Sequence, residues 1–154
     1  MSGRIVQLSR SSGGVPKLPI DEVSIGLLGL EGDAHKHTKI HGGPERAVCV
    51  YALEVIQALQ AEGHPISPGS AGENVTVSGL VWTAVVPGAR LELGDTVVLE
   101  VTRYTEPCKV ITASFAGGVF RRIDHDRHPG WSRVYTKVVR EGVVRVGQPV
   151  RIAQ

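Results

Sequence analysis

Cysteine is scarce in this chain, aromatic residues are few, and no long apolar run occurs. Two cysteines, Cys49 and Cys108, exclude the disulfide framework that staples many small secreted domains. The opening MSGRIVQLSRSSGG lacks an apolar signal core, and no stretch approaches the roughly 18 apolar residues of a membrane span. A membrane partner is therefore not expected, and a reducing cytoplasm is the expected compartment, where a thiol can matter chemically. Charge of one sign is also missing. Lys plus Arg is 17 and Asp plus Glu is 15, a formal net charge of +2. A dedicated nucleic-acid binder shows a basic stripe instead. Aromatics make up 5% of the chain, and Trp82 and Trp131 read as core or rim anchors.

What is present fits one domain spanning residues 1–154. Its 42% apolar content is ample for a core. Glycine (19) and proline (9) divide the chain at short intervals, and between them lie β-branched runs at 4–8, 47–51, 74–77, 90–93, 96–101, 133–139 and 142–146. Several alternate apolar with polar residues, as strands with one buried face do. Short strands at this spacing predict a mostly-β barrel or sandwich with few helices. The segment 52–62 is the exception. It places Leu53, Ile56 and Leu59 on one stripe before Gly63, which predicts a helix across the barrel. A second short helix is expected after Pro107. Leu93-Gly94-Asp95 and Val146-Gly147-Gln148-Pro149 read as equivalent hairpin turns.

The chemistry-bearing stretch runs from Gly29 to Arg46. His41 and Arg46 flank Gly42-Gly43, whose consecutive N–H groups can form an anion-binding nest. Asp33 is then placed to orient a cation. A solvated loop is the plain alternative. A metal is the other option, since His35, His37 and His41 have ligand-capable spacing. No cysteine or second carboxylate sits at a firm metal spacing nearby, which ranks zinc below the anion. His125 and His128 are distant ligand candidates in a segment that Pro129-Gly130 turns. His64 reads as a surface residue at a helix end. Cys49 reads as a small buried hydrophobe. Cys108 follows Pro107 beside Lys109 and five residues after Arg103, cations that favour a thiolate, although an inert surface thiol has the same composition. Glu73-Asn74 is either a turn pair or a ligand-orienting one.

In order, Gly32-Asp33, His41-Gly42-Gly43-Pro44-Glu45-Arg46-Ala47-Val48, the run from Gly72-Glu73-Asn74 to Leu80, Gly88-Ala89-Arg90-Leu91, Thr102-Arg103 and Pro107-Cys108 resemble a MOSC domain, the family named for the C-terminal part of molybdenum-cofactor sulfurases. The resemblance runs from about Ile5 to the end of the chain and is nearest the small, stand-alone YiiM-like branch. It implies a β-barrel of the pyruvate-kinase-barrel-like type and a pocket built around the late cysteine. Carried over residue by residue, Cys108 bears a persulfide or ligates molybdenum, and His41, Gly42, Gly43, Arg46, Asn74 and Arg103 line the pocket.

The cofactor so implied is the molybdenum cofactor, molybdopterin. Its terminal phosphate suits the glycine nest and arginines, and its soft metal suits a thiolate. Pyridoxal phosphate enters only by association with fused relatives, and Lys109 has no support as a Schiff-base lysine. The implied activities are sulfur transfer, with a cysteine desulfurase as donor, or reduction of N-hydroxylated compounds with a separate reductase, because no ferredoxin-like cysteine cluster is present. A non-catalytic cofactor-delivery module and a zinc-dependent hydrolase using His35, His37 and His41 are the alternatives.

Overall fold

The computed structural model describes residues 2–34 and 43–153. Among these residues the strands are β1 (Ser2–Arg10), β2 (Leu18–Ile20), β3 (Glu22–Gly26), β4 (Gly29–Leu30), β5 (Val48–Ala52), β6 (Val75–Ser78), β7 (Arg90–Leu93), β8 (Val97–Tyr104), β9 (Val134–Arg140), β10 (Gly142–Arg145) and β11 (Pro149–Ile152). One α-helix, α1 (Leu53–Ala61), accompanies short 3₁₀ turns, including Pro44–Arg46, Lys109–Ser114 and Phe120–Ile123. No helix among the described residues is long and apolar enough to cross a membrane.

The alternating runs close into a seven-stranded barrel in the order β11-β7-β8-β9-β5-β6-β1, which returns to β11. The closing pair sets Ser2 to Arg4 against Arg151 to Pro149, so the ring has no free edge. Strand periodicity explains the filling. Val48, Val50, Val75, Val77, Leu91, Leu93, Leu99, Val101 and Val134 pack inside. The intervening Cys49, Tyr51 and Tyr135 point outward. One pair, β5–β6, is parallel. A parallel pair needs a crossover, and α1 provides it. Ile56 and Leu59 of α1 are buried in an outer cluster with Tyr51, Ile66, Ala71, Ile111, Phe115 and Ile123. The barrel is therefore solid, and a second apolar layer lies against its outer wall.

The helix and the later strands match the expectations from sequence, and the short helix after Pro107 is the 3₁₀ turn Lys109–Ser114. Two differences stand out. A separate sheet, β10-β3-β4, was not foreseen, because β3 is five residues long and its alternation (buried Val23 and Ile25) is brief. Val146–Pro149 is not a hairpin turn. It carries the chain from β10, which pairs with β3, across to β11, which pairs with β7 and β1. The two turns nevertheless meet. The Gly94 N–H donates to the Pro149 carbonyl at 2.9 Å, and at φ +60° a Cβ on Gly94 would lie 2.5 Å from Gln148 Oε1. Glycine is needed there on both counts.

Candidate functional site

A pocket opens on the outer wall of the barrel. Counting the part open to solvent, its empty space is about 670 Å³. Its charged and reactive lining comprises Lys17, Arg46, Cys49, Asn74, Glu106, Cys108, Arg133 and Tyr135, with Val15, Val110 and Ile111 among the apolar members. These groups come from five separate parts of the chain. The β5–β9 pairing sets Cys49 opposite Tyr135, so both side chains stand on the same outer face. Arg133 precedes β9 and shares the face of Tyr135 two residues on. Asn74 lies just before β6, and Cys108 stands at the entry to the turn Lys109–Ser114, half-buried.

A polar network fixes one side of this pocket. Lys17 Nζ lies 2.8 Å from both carboxylate oxygens of Asp33, and both side chains are buried. Asp33 thus orients a cation, as its position in the sequence suggested. Asn74 donates to Asp33 Oδ2 at 2.9 Å and to the Ser9 carbonyl at 3.3 Å, and it accepts from the Cys49 N–H at 3.0 Å. Its amide is therefore fully engaged in tying β1, β5 and the Asp33 segment together.

Two arginines also line the pocket. Arg133 is 5% exposed and donates from Nη1 to the Ala71 carbonyl at 2.7 Å. Its Nε is buried with no hydrogen-bond partner among the described residues. An unmatched buried N–H of this kind is costly. Arg46 lies over the Tyr135 ring, 5.9 Å from its centroid. Burial pushes the Tyr135 hydroxyl above the ordinary phenol range, aided by Cys49 and Cys108 and opposed by Arg133 and Arg46. All four groups thus act on one phenol, which stays protonated at neutral pH. Burial likewise raises the Cys49 thiol, with Arg133 opposing. Cys49 Sγ sits 3.7 Å from Thr105 Oγ1, so Cys49 is both the small buried residue expected and a pocket wall.

The residues predicted from sequence divide as follows. Cys108, Arg46 and Asn74 share the pocket lining. Gly43 adjoins it as the residue entering Pro44–Arg46, with φ +82°, a conformation suited to glycine. Arg103 is exposed, and a register shift in β8 sets it opposite Tyr135, on the outer face of the neighbouring strand. His41 and Gly42 lie outside the described residues, as do His35 and His37. No cluster of three or more metal-ligating side chains occurs among the described residues. His125 stacks on Tyr104 with ring centroids 3.5 Å apart. His64 accepts the Ala116 N–H, and Trp131 packs under Arg122.

Sequence reasoning passed over Lys17, Arg133 and Tyr135. Arg133-Val134-Tyr135 carried a usable signal, since a period of two puts the arginine and the phenol on one face. Lys17 carried none, because its partner Asp33 is brought to it only by the fold.

Comparison with known proteins agrees with this architecture. The MOSC domain model matches residues 37–151. The uncharacterized protein YflK of Bacillus subtilis (strain 168) is 34% identical over 119 residues, 77% of this chain and 52% of YflK. A protein of Gibberella moniliformis (strain M3125 / FGSC 7600) named reductase is 30% identical over 128 residues, 80% of this chain and 20% of that protein. The chain thus spans about half the length of the first of these relatives and a fifth of the other. The crystal structure of YiiM from Geobacillus stearothermophilus superposes with a TM-score of 0.76 at 23% identity, covering 99% of this chain and 75% of that one. The family model, with the likeness to YflK, shows that the chain belongs to the MOSC domain family.

Proposed function

We propose that the pocket binds a molybdenum cofactor through its terminal phosphate and presents Cys108 to the metal end. The observation that carries this reading is the Arg133 Nε, buried and unmatched in a pocket that also holds Arg46 and the Cys108 thiol. A guanidinium with a free N–H suits a phosphate oxygen, and a thiolate suits a soft metal. Arg133 and Arg46 would hold the phosphate, with Gly43 beside them. Asn74 and Asp33 keep Lys17 and the β1 side of the wall in place. Tyr135, held protonated, is a hydrogen-bond donor at the same wall. When bound, the cofactor would supply two-electron oxo-transfer chemistry. The apolar Val15, Val110 and Ile111 share the lining with the thiol.

Two uses of such a site fit the lining, namely sulfur carried on Cys108 from a cysteine desulfurase, and reduction of N-hydroxylated compounds with a separate electron donor. The name of the Gibberella relative supports the second. A single MOSC domain spanning residues 1–154, at work in the cytoplasm, completes the proposal. The test is molybdenum content by elemental analysis, with pterin by fluorescence, in wild type, Cys108→Ala and Arg133→Ala. Arg133→Ala is expected to lose pterin at least tenfold, and Cys108→Ala to lose molybdenum preferentially. Pterin retained in Arg133→Ala, or absent from wild type reconstituted with free cofactor, would overturn the reading.

A further inference from the structure

Behind the pocket floor lies a carboxyl group for which cofactor binding has no direct use. Glu73 sits between Gly72 and Asn74, both of which line the pocket, and its own side chain is completely buried. Its Oε2 accepts from the Thr76 hydroxyl at 3.3 Å. Its Oε1 has no hydrogen-bond partner among the described residues. The Arg133 guanidinium is fixed to the Ala71 carbonyl, two residues before Glu73, and acts on Glu73 through space. Two orphaned buried atoms, one on an acid and one on a base, thus flank the same short segment. The other ionisable groups set against them are Cys49 and Tyr51 of β5, both pushed up chiefly by burial and less by Glu73, with Lys17 acting on Cys49 from the β1–β2 connection. Lys17 is already matched by Asp33, and Cys49 and Tyr51 are neutral. Glu106 lines the pocket from its exposed side, and Glu73 is therefore the buried carboxyl placed to answer the charge of Arg133.

We infer that Glu73 is a proton-coupled counter-charge for the pocket. Ionised, it offsets Arg133, and an oxyanion that docks on Arg133 draws one proton from solvent onto Glu73. The inference rests on the oxyanion reading of the pocket and adds its regulation. An incoming dianion repels a carboxylate that the guanidinium offsets through space, and neutralising that carboxylate removes the repulsion. Burial pushes the Glu73 carboxyl up to about 7, against the backbone N–H groups of Gly69 and Glu73, Arg133 and the Thr76 hydroxyl. The direction of the pH effect follows. Below about 7 Glu73 already carries its proton, and anion affinity is at its plateau. Above that, binding must recruit the proton, so affinity falls as pH rises.

Sulfate is a suitable probe because its charge is constant through neutral pH. Titration calorimetry should be run from about pH 6 to about pH 8.5, in paired buffers of different ionisation enthalpy. Wild type is expected to lose sulfate affinity several-fold per pH unit above about 7, with uptake approaching one proton. Glu73→Gln is expected to bind with no such slope, near the low-pH affinity of wild type. A slope that persists in Glu73→Gln, or sulfate binding without proton uptake in wild type, would overturn the inference and leave the oxyanion pocket standing. No sulfate binding at any pH would remove both. Should Glu73→Gln fail to fold, carbon-detected NMR of the wild-type carboxyl replaces it. Saturating sulfate is expected to move the Glu73 midpoint upward, and an unmoved midpoint would sink the idea.

Discussion

Asn74 shows how much one side chain can hold. Its amide joins Cys49, Asp33 and Ser9 within a buried network, and Asp33 in turn holds Lys17. Asn74→Ala removes three hydrogen bonds and leaves the buried Cys49 N–H without its side-chain acceptor. The expected loss is about 2–3 kcal/mol of unfolding free energy in urea titration. Asn74→Asp keeps the shape but sets a second carboxylate against Asp33, so it should cost more than the alanine change, and its deficit should shrink as pH falls and a carboxyl protonates. Equal losses for the two variants would show that the Asn74–Asp33 bond contributes little. At this scale the sequence was only partly readable. Cys108, Arg46 and Asn74 stood in motifs. Arg103 stood in one too, and a register shift that no motif encodes sets it opposite Tyr135. Lys17 and Arg133 acquire their meaning from partners far along the chain.

Among the elements, the segment that carries Cys108 is held from outside the barrel. Arg122 makes a two-pronged pair with Glu62 at the end of α1, at 3.0 and 2.8 Å, and its guanidinium lies 4.0 Å from the centre of the Trp131 ring. The arginine hydrogen bond holds the Glu62 carboxyl below the usual carboxylate range. The clamp is therefore intact above that range and is lost as pH falls through the lowered value. His64 Nδ1 accepts the Ala116 N–H at 3.1 Å, and its ring meets Phe115 edge-on. Arg122→Ala should loosen this wall without unfolding the barrel. Amide exchange across residues 109–123 is expected to speed up at least tenfold, with alkylation of Cys108 rising in parallel while barrel amides keep their protection. Uniform loss of protection would mean that the segment and barrel are one cooperative unit. The α1 stripe and most strands were legible because their periodicity is internal. The β10-β3-β4 sheet was not, because its strands are short and their pairing is long-range.

For the whole molecule, closure is the governing feature. The family model begins at residue 37, yet β1 bridges β6 and β11 and supplies buried Ile5 and Leu8. Deleting residues 1–12 would leave β6 and β11 as facing open edges. The expected result is loss of the cooperative thermal transition in circular dichroism, and a melting temperature within a few degrees of the full chain would show that β1 is dispensable.

The pocket has its own consequence in time. Lys17, Arg46, Asn74, Cys108 and Arg133 are scattered over more than a hundred positions, and Tyr135 belongs to a strand that pairs with both β5 and β8. A chain leaving the ribosome from its N-terminus exposes Cys108 well before Arg133 and β9 exist to enclose it. The thiol therefore spends part of every synthesis cycle as an ordinary exposed cysteine. Any ligand that requires the assembled wall can arrive only after translation has passed β9.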